Sequence, residues 1–210
     1  MNLSPNLESY IEQNMDEEPA LLRLLRRETY QKTTQPHMIS GILQGRILSI
    51  LSKIISPKLI VEVGTFTGYS TLCLAEGLRK DGEIITIDKN KETSYLPKKY
   101  FKQSEYVNQI KFIEDDALNA LRGIKTAINL VFLDADKERY SDYVDLIKPL
   151  LSSGGVILAD NILWKGKVAS DANDNKTESI RAFNKKINED KDWEVVILPV
   201  RDGISIIRKK

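Results

Sequence analysis

Acidic side chains follow two strongly apolar segments in the second half of the chain, at positions where they could bind a metal ion. The segment INLVFL is followed directly by Asp134, and the segment GGVILA is followed directly by Asp160 and Asn161. If both segments are neighbouring parallel strands, their carboxyl ends lie about 4.8 Å apart, and the two carboxylates repel unless a cation separates them. Two carboxylates and an amide oxygen form the hard oxygen set that Mg²⁺ prefers. Either acid alone could equally cap a helix, so the prediction rests on the pair.

A glycine-containing turn forms a second candidate site, in the segment LIVEVGTFTGYSTLCLA from Leu59 to Ala75. The first five residues, apolar except for one glutamate, predict a buried strand; Gly64 and Gly68 predict the turn, and a helical pattern begins at Tyr69. Such a turn presents unpaired backbone N–H groups beside bare glycine backbone, which can hold a nucleotide-like ligand. The spacing GxxxG differs from the GxGxxG of dinucleotide-binding enzymes, and a plain strand–turn–helix with glycines for the bend is the alternative.

Two acids accompany this turn and strengthen the ligand-binding interpretation. Glu62 lies one residue before the end of the first predicted strand, where a buried carboxylate is costly without a partner and ribose hydroxyls are suitable donors. Asp88 follows the next strand-like run, EIITI, twenty residues after Gly68. An acid at the tip of the second strand is where a ribose 2′-hydroxyl is usually held.

The composition narrows the classes of partner and compartment. Lys and Arg number 31 and Asp and Glu number 30, so no basic excess indicates nucleic-acid binding. The single cysteine, Cys73, is predicted to be a small buried side chain; it excludes an internal disulfide and fits a reducing compartment. Zinc ligands are missing, since His37 is the only histidine and is interpreted as a loop residue. No apolar run approaches transmembrane length and no signal-peptide pattern is visible, so we predict a soluble, cytoplasmic protein without a membrane partner.

The first 56 residues precede the first strand and are predicted to form helices that cover the core. Ser4 and Pro5 predict a helix start, and a second helix begins after Pro19. A third helix is predicted over residues 39–55, with Ile47, Leu48, Leu51 and Ile54 facing inward. We therefore predict a single domain, 1–210, made of a cover (1–56) and an α/β core (57–210).

Strands and helices alternate through the predicted core, which indicates a mostly parallel sheet with right-handed crossovers. Strands are predicted near 59–63, 83–88, 110–114, 128–133 and 155–159, and helices over 69–79, 92–104, 117–122, 139–151 and 177–189. Two closing strands, 193–198 and 203–208, are separated only by a connection of hairpin length, so the final strand is antiparallel.

Four motifs carry a resemblance to a known family. EVGTFTGYS with the downstream IDKN resembles the S-adenosylmethionine-dependent methyltransferases of the doubly wound type. FLDADKERY, GGVILADNILWKGKV and LPVRDGISI are similar to the cation-dependent O-methyltransferases of the catechol and caffeoyl-CoA type, and the similarity runs from about residue 30 to the end of the sequence. The resemblance implies an α/β fold with a doubly wound, Rossmann-like sheet of seven strands in the order 3-2-1-4-5-7-6, the last strand antiparallel.

The same resemblance implies roles for individual residues. Asp134, Asp160 and Asn161 match the ligands of Mg²⁺ or of another divalent cation such as Mn²⁺ or Ca²⁺. Lys137 matches the family's proton acceptor, with Asp134 beside it as the second catalytic residue; by position alone, Lys137 could be one of many surface lysines. The positions that match the methyl-donor site are Ser40, Glu62, Gly64, Thr65, Ser70, Asp88, Asp116, Ala117 and Asp134.

Three departures from the family pattern fall near these sites. The family often has an acidic DEGQ where this chain has Leu43–Arg46 (LQGR), a glycine where it has Asp115, and, in the plant enzymes, an asparagine where it has Lys165. The last departure lies in the loop from Trp164 to Lys176, which with the N-terminal part supplies most contacts to the methyl acceptor in the family.

The resulting prediction is an S-adenosylmethionine-dependent and divalent-metal-dependent O-methyltransferase that acts on a small phenolic substrate with vicinal hydroxyls, and that forms a homodimer as its family does. An NAD(P)-dependent oxidoreductase is one alternative, but it predicts the GxGxxG turn that the chain lacks. A binding module of the same fold without activity is another, and it would not need acids after two adjacent strands.

Overall fold

The N-terminal part of the chain is helical, as predicted. The computed structural model describes residues 4–210, and its first helix, α1 (Pro5–Gln13), is capped by the Ser4 side chain, which accepts a hydrogen bond from the Leu7 N–H. Helix α2 (Ala20–Lys32) follows, then a 3₁₀ turn (Pro36–Met38) that contains His37, then α3 (Gly41–Ile55). His37, interpreted from the sequence as a loop residue, thus lies in a short 3₁₀ turn between α2 and α3.

Seven strands form one sheet in the described part of the chain. The predicted bounds are correct to within one residue except for β5, which begins earlier than predicted because a register shift lets Leu151 pair with Ile128. The strands are β1 (Leu59–Val63), β2 (Glu83–Ile87), β3 (Ile110–Ile113), β4 (Ile128–Leu133), β5 (Leu151–Asp160), β6 (Trp193–Leu198) and β7 (Ile204–Lys209).

The strand order is β3-β2-β1-β4-β5-β7-β6, and β7 runs antiparallel to both of its neighbours, so the predicted topology is confirmed. The helices of the core cover both faces of the sheet: α4 (Tyr69–Ala75), α5 (Tyr95–Gln103), α6 (Ala117–Gly123), α7 (Tyr140–Ile147) and α8 (Asn175–Glu189). Of these, α4, α5 and α7 are shorter than predicted, whereas α6 and α8 are slightly longer. Two 3₁₀ segments, Lys137–Arg139 and Trp164–Ala169, follow β4 and β5.

Alternating strand residues build two apolar layers, one on each face of the sheet. Val61 and Val131 belong to the layer covered by α6, α7 and α8, whereas Ile60 and Leu130 belong to the layer covered by α2 to α5. Strands buried on both faces explain the continuous apolar runs in the sequence.

The register of the central strands positions the functional edge. Leu133 of β4 pairs with Val63 of β1 on one side and with Ala159 of β5 on the other. The next residues along the three strands therefore meet at the same carboxyl edge, and these are Gly64, Asp134 and Asp160.

Helix α3 faces the core with a polar side, so part of its predicted orientation is wrong. Leu48 is buried as predicted, but Ile54 is 73% exposed, and Ile50 on the same side is 52% exposed. The buried side includes Arg46 and Ser49, because both bind Glu76 at the end of α4. The hydrogen bonds of Arg46 and Ser49 to Glu76, rather than the apolar periodicity, therefore determine which side of α3 is buried.

The expectation that no apolar run approaches transmembrane length is wrong for one stretch, which includes α3. Residues Pro36–Ile55 span 20 residues with a mean hydropathy of 1.4, which is long and apolar enough, by length and composition only, to cross a membrane. In the structure α3 packs against α4, and 44% of this stretch is buried.

Polar contacts attach the cover to the loop after β1. The Glu18 carboxylate is buried and accepts hydrogen bonds from the Tyr69 hydroxyl at 2.7 Å and from the Arg26 guanidinium at 2.9 Å. Thr29 of α2 donates to Thr67 at 3.0 Å. The cover thus contacts the turn that the sequence singles out.

Candidate active site

A cavity of about 250 Å³ opens at the carboxyl ends of β1, β2 and β4, where ligands bind in open α/β sheets. Five of the residues predicted for donor binding line it: Gly64, Asp88, Asp116, Ala117 and Asp134. The remaining lining residues are Met38, Val63, Phe66, Ile87, Lys89, Asn90, Asp115, Ala135, Asp136 and Tyr143.

The wall of this cavity is strongly acidic. Arg139 pairs with Asp116 at 2.9 Å and lies 3.9 Å from Asp136, which compensates part of the charge. A cavity with five carboxylates among its lining residues attracts a ligand with positive charge. The lining residues include one lysine, Lys89, and five aspartates: Asp88, Asp115, Asp116, Asp134 and Asp136.

Glycine is required where the loop after β1 crosses the end of β4. Gly64 has φ +105°, and a Cβ atom at this position would lie 2.1 Å from the Asp134 carbonyl oxygen. Both the backbone conformation and the close approach exclude a side chain. The turn after β1 therefore packs its backbone directly against Asp134 at the end of β4.

Asp88 joins the loops that follow β1 and β2. One carboxylate oxygen accepts from the Phe66 N–H at 2.7 Å, and the other accepts from the Asn90 N–H at 2.8 Å. Each oxygen can accept a further hydrogen bond, so these contacts leave room for a ligand hydroxyl in the cavity.

Glu62 lies beneath the cavity and does not line it. Its fully buried carboxylate accepts from the hydroxyls of Ser70 at 2.5 Å, Thr86 at 2.6 Å and Thr71. The sequence suggested ribose hydroxyls as the hydrogen-bond donors to Glu62. In the structure three protein hydroxyls fill this role. Burial raises the pKa of Glu62 to about 7, although the three hydrogen bonds act in the opposite direction.

Thr65, Ser70 and Ser40 are likewise buried and outside the cavity lining. Thr65 shares a hydrogen bond of 2.6 Å with Thr86, and Ser70 binds Glu62. These side chains support the loop after β1, and their role in donor binding stays a prediction.

Lys137 is buried rather than one of the surface lysines, so that alternative is wrong. Its ammonium donates to Asp134 Oδ1 at 2.7 Å and to the Tyr140 hydroxyl oxygen at 2.7 Å. The Tyr140 hydroxyl lies 2.8 Å from the Leu133 carbonyl oxygen and 3.1 Å from the Asp160 carbonyl oxygen. Because burial raises the pKa of Tyr140 well above its ordinary value, this hydroxyl stays protonated.

Asp160 is the most buried acid of the edge, with 3% of its surface exposed. Its Oδ2 accepts from Gln44 Nε2 at 2.6 Å, and its Oδ1 accepts from the Asn161 N–H at 2.8 Å. Burial, followed by the negative charge of Asp134, raises the pKa of Asp160 to about 6. The like charges at the ends of β4 and β5 therefore act on one another, as predicted.

The donor set at this edge is consistent with a hard divalent cation. Asp134, Asp160 and Asn161 offer two carboxylates and an amide, and Asn161 is held in the left-handed region with φ +58°. Within residues 4–210 no group of three or more His, Cys, Asp or Glu side chains could hold a metal, so the amide oxygen is needed to complete this set. These three residues could hold a cation beside the cavity.

Sequence reasoning missed three residues that contact the predicted site. Tyr140 binds Lys137, Gln44 binds Asp160, and Arg201 binds Gln44 at 2.8 Å. Tyr140 could have been found from its i+3 spacing after Lys137 on a helical turn. The other two come from distant segments, and no sequence pattern brings them to β5.

Cys73 is buried as predicted and has no chemical role in this site. It is fully buried on α4, and burial raises the pKa of its thiol to about 12, so the thiolate nucleophile is suppressed at neutral pH.

Comparison with known proteins identifies the family to which the chain belongs. A family model described as O-methyltransferase matches residues 12–210. A putative caffeoyl-CoA O-methyltransferase from Arabidopsis thaliana is 36% identical over 203 residues, covering 91% of this chain and 87% of the relative. A flavonoid 3′,5′-methyltransferase from Vitis vinifera is 33% identical over 179 residues, covering 79% of this chain and 76% of the relative.

The fold of a solved structure is also closely similar. The S-adenosylhomocysteine-bound methyltransferase PaMTH1 from Podospora anserina superposes with a TM-score of 0.90 at 30% identity, covering 98% of this chain and 94% of PaMTH1.

Proposed function

We propose that this chain, which belongs to the O-methyltransferase family and takes its methyl group from S-adenosylmethionine, methylates one hydroxyl of a vicinal phenolic diol with the help of a divalent cation. The observation that supports this most directly is the meeting, at one edge of the sheet, of the acidic cavity, which Asp134 lines, with the buried side chains of Lys137 and Asp160. Family membership excludes the oxidoreductase alternative.

The acidic cavity is suited to the methyl donor. S-adenosylmethionine carries a sulfonium and an ammonium group, so the carboxylates of the wall attract it. We assign Asp88 to the ribose hydroxyls, because it lines the cavity at the tip of β2. Asp116 and Ala117, at the start of α6, would contact the adenine side, and Gly64 allows close approach of the donor to the backbone.

Asp134, Asp160 and Asn161 would hold Mg²⁺, or Mn²⁺ or Ca²⁺ in its place. When bound, such a cation stabilises negative charge on a phenolic oxygen and fixes the orientation of two neighbouring oxygens. The names of the two relatives, a caffeoyl-CoA and a flavonoid enzyme, support a phenolic acceptor.

We assign proton transfer to Lys137. The Lys137 nitrogen is held by Asp134 and Tyr140 at 2.7 Å each. To act as a base it must first give up one proton, after which two N–H donors remain for these two acceptors and one lone pair is left. The lone pair then remains to accept the phenolic proton. Because Tyr140 and Asp134 fix the amine from two sides, its position is set before the substrate binds.

We also propose that the protein is a cytoplasmic homodimer that binds neither nucleic acid nor membrane. The exposed Ile50 and Ile54 of α3 form an apolar surface suited to a second copy. Light scattering after gel filtration would measure the mass, and Ile54→Asp should shift a dimer toward monomer.

The acceptor class is tested by comparing two phenols that differ in one O-methyl group. Purified protein, S-adenosylmethionine and Mg²⁺ are incubated with caffeic acid or with its 3-methyl ether, and products are detected by mass. We expect one added methyl on the diol and little on the ether, because only the diol offers two neighbouring hydroxyls that can both bind the cation as ionisable oxygens. Equal turnover of both would refute the vicinal-diol requirement, and turnover of neither would favour the binding-module alternative.

A further inference from the structure

Arg201 connects three segments that are distant in sequence. It lies in the turn between β6 and β7, and its guanidinium donates to the Ile39 carbonyl oxygen at 2.9 Å, to the Ser40 carbonyl oxygen and to Gln44 Oε1 at 2.8 Å. It also lies 3.4 Å from the His37 carbonyl oxygen. The C-terminal hairpin is thereby attached to the start of α3.

Gln44 relays this contact to the acidic edge. Its side chain is fully buried, accepts from Arg201 through Oε1 and donates to Asp160 Oδ2 through Nε2 at 2.6 Å. A guanidinium has only donors, so it determines which end of the amide faces it. With Oε1 turned toward Arg201, the NH₂ group must point at the Asp160 carboxylate.

The relay restrains the one carboxylate that projects from the end of β5. Asp160 Oδ1 is already held by the Asn161 N–H at 2.8 Å. The Gln44 bond on Oδ2 therefore prevents rotation of the carboxylate, and both oxygens keep lone pairs for another ligand. Without Arg201 the Gln44 amide could flip and present its oxygen to Asp160, which would repel it.

We propose that Gln44, oriented by Arg201, is a positioning residue that fixes the Asp160 carboxylate for methyl transfer. The inference rests on the proposed function of Asp160 at the reaction edge. The same arginine holds the carbonyl groups on both sides of Met38, which lines the donor cavity, so the cavity wall and Asp160 share one support.

A double-mutant cycle of Gln44→Met and Arg201→Met tests the relay. Methionine has nearly the volume of glutamine, and Gln44→Met leaves the Arg201 bonds to the carbonyl groups in place. We expect Gln44→Met to lower kcat about tenfold to hundredfold, as for loss of a hydrogen bond to a charged group, with the Kd for S-adenosylmethionine within about twofold. Calorimetry with Mg²⁺ alone should show binding weakened about tenfold.

Arg201→Met should lower kcat less than Gln44→Met, and at saturating donor the double variant should have the kcat of Gln44→Met, because Arg201 acts on Asp160 through Gln44. Loss of the Arg201 bonds beside Met38 should appear instead in the Kd for S-adenosylmethionine of both variants that lack Arg201. Arg201→Lys should recover part of kcat, since an ammonium still donates to Gln44 Oε1. The matched control is Arg208→Met on β7, an exposed arginine paired with Glu194, which should leave kcat and Mg²⁺ binding unchanged.

Independent, multiplying losses in the double variant would overturn the relay, as would a Gln44→Met enzyme with parental kcat. A parent that turns over a phenol without binding Mg²⁺ would refute the metal assignment alone, and the kcat cycle would still decide the relay. A parent with neither Mg²⁺ binding nor turnover would overturn both.

Discussion

At the scale of single residues, Lys137 is held in place before any substrate arrives, by one carboxylate and one phenolic oxygen at 2.7 Å each. Lys137→Arg distinguishes proton transfer from charge, because arginine donates to the same acceptors but does not lose a proton. We expect both Lys137→Ala and Lys137→Arg to lower kcat by at least about a hundredfold, in the range of general base catalysis. Donor affinity measured by calorimetry should stay near the parental value, and a Lys137→Arg enzyme with parental kcat would assign Lys137 a purely electrostatic role.

Asp88 provides the residue-scale test of the donor site. Asp88→Ala removes the acceptor of the Phe66 N–H as well as the proposed ribose contact, whereas Asp88→Asn keeps one acceptor oxygen. We expect calorimetry to show S-adenosylmethionine binding weakened by about 1.5–3 kcal/mol in Asp88→Ala and by less in Asp88→Asn. Asp81→Ala, at an exposed acid, is the control. Unchanged affinity in Asp88→Ala would remove Asp88 from the donor site.

Glu62 makes stability depend on pH in a direction opposite to that of most carboxylates. Its pKa of about 7 in the folded protein lies above its ordinary 4.5, so the folded state holds a proton that the unfolded state has already lost. The contribution of Glu62 to the free energy of unfolding therefore falls by about 3 kcal/mol in total as the pH rises from 4.5 to 7. Above pH 7 this contribution is constant. We expect denaturant unfolding of Glu62→Gln to lose this part of the pH dependence. An identical pH profile in parent and variant would show that Glu62 is ionised at lower pH.

At the scale of elements, apolar periodicity predicted the sheet well and α3 less well. The strands are buried on both faces, so continuous apolar runs such as INLVFL locate them with few alternatives. In α3 the isoleucines suggested the buried side, but Arg46, Ser49 and Ser52 face the core because acceptors on α4 meet them. Such partners come from another element and leave no periodic signal in α3 itself.

The Arg46–Glu76 pair between α3 and α4 gives an element-scale prediction. Glu76 accepts from Arg46 at 2.6 Å, from Ser49 at 2.6 Å and from Lys53 at 2.9 Å, and the Arg46 side chain is only 9% exposed. Glu76→Ala leaves this arginine buried and unpaired, so we expect a loss of about 3 kcal/mol in the free energy of unfolding. Glu194→Ala, which breaks an exposed pair, should cost less than about 1 kcal/mol. Equal losses in denaturant titrations would contradict this interpretation of α3.

At the scale of the whole molecule, the sequence predicted which strand ends carry the chemistry but not the contacts that hold them. Asp134 and Asp160 could be placed together because the family resemblance implies that β4 and β5 are neighbours, and the structure confirms this pairing. The partner of Glu62 was predicted to be a ligand and proved to be three hydroxyls from two other elements. The contacts among Arg201, Gln44 and Asp160 join residues brought together only by the complete fold, which local patterns do not encode.

The central claim, that methyl transfer depends on a cation held by Asp134, Asp160 and Asn161, is tested most directly by chelation. Methyl transfer from labelled S-adenosylmethionine to a vicinal diol is measured after EDTA treatment, then again after adding Mg²⁺ or Mn²⁺. We expect EDTA to abolish transfer in the parent and the added ion to restore it, whereas Asp160→Ala should stay inactive with parental donor affinity. Full transfer in the presence of EDTA would contradict the account.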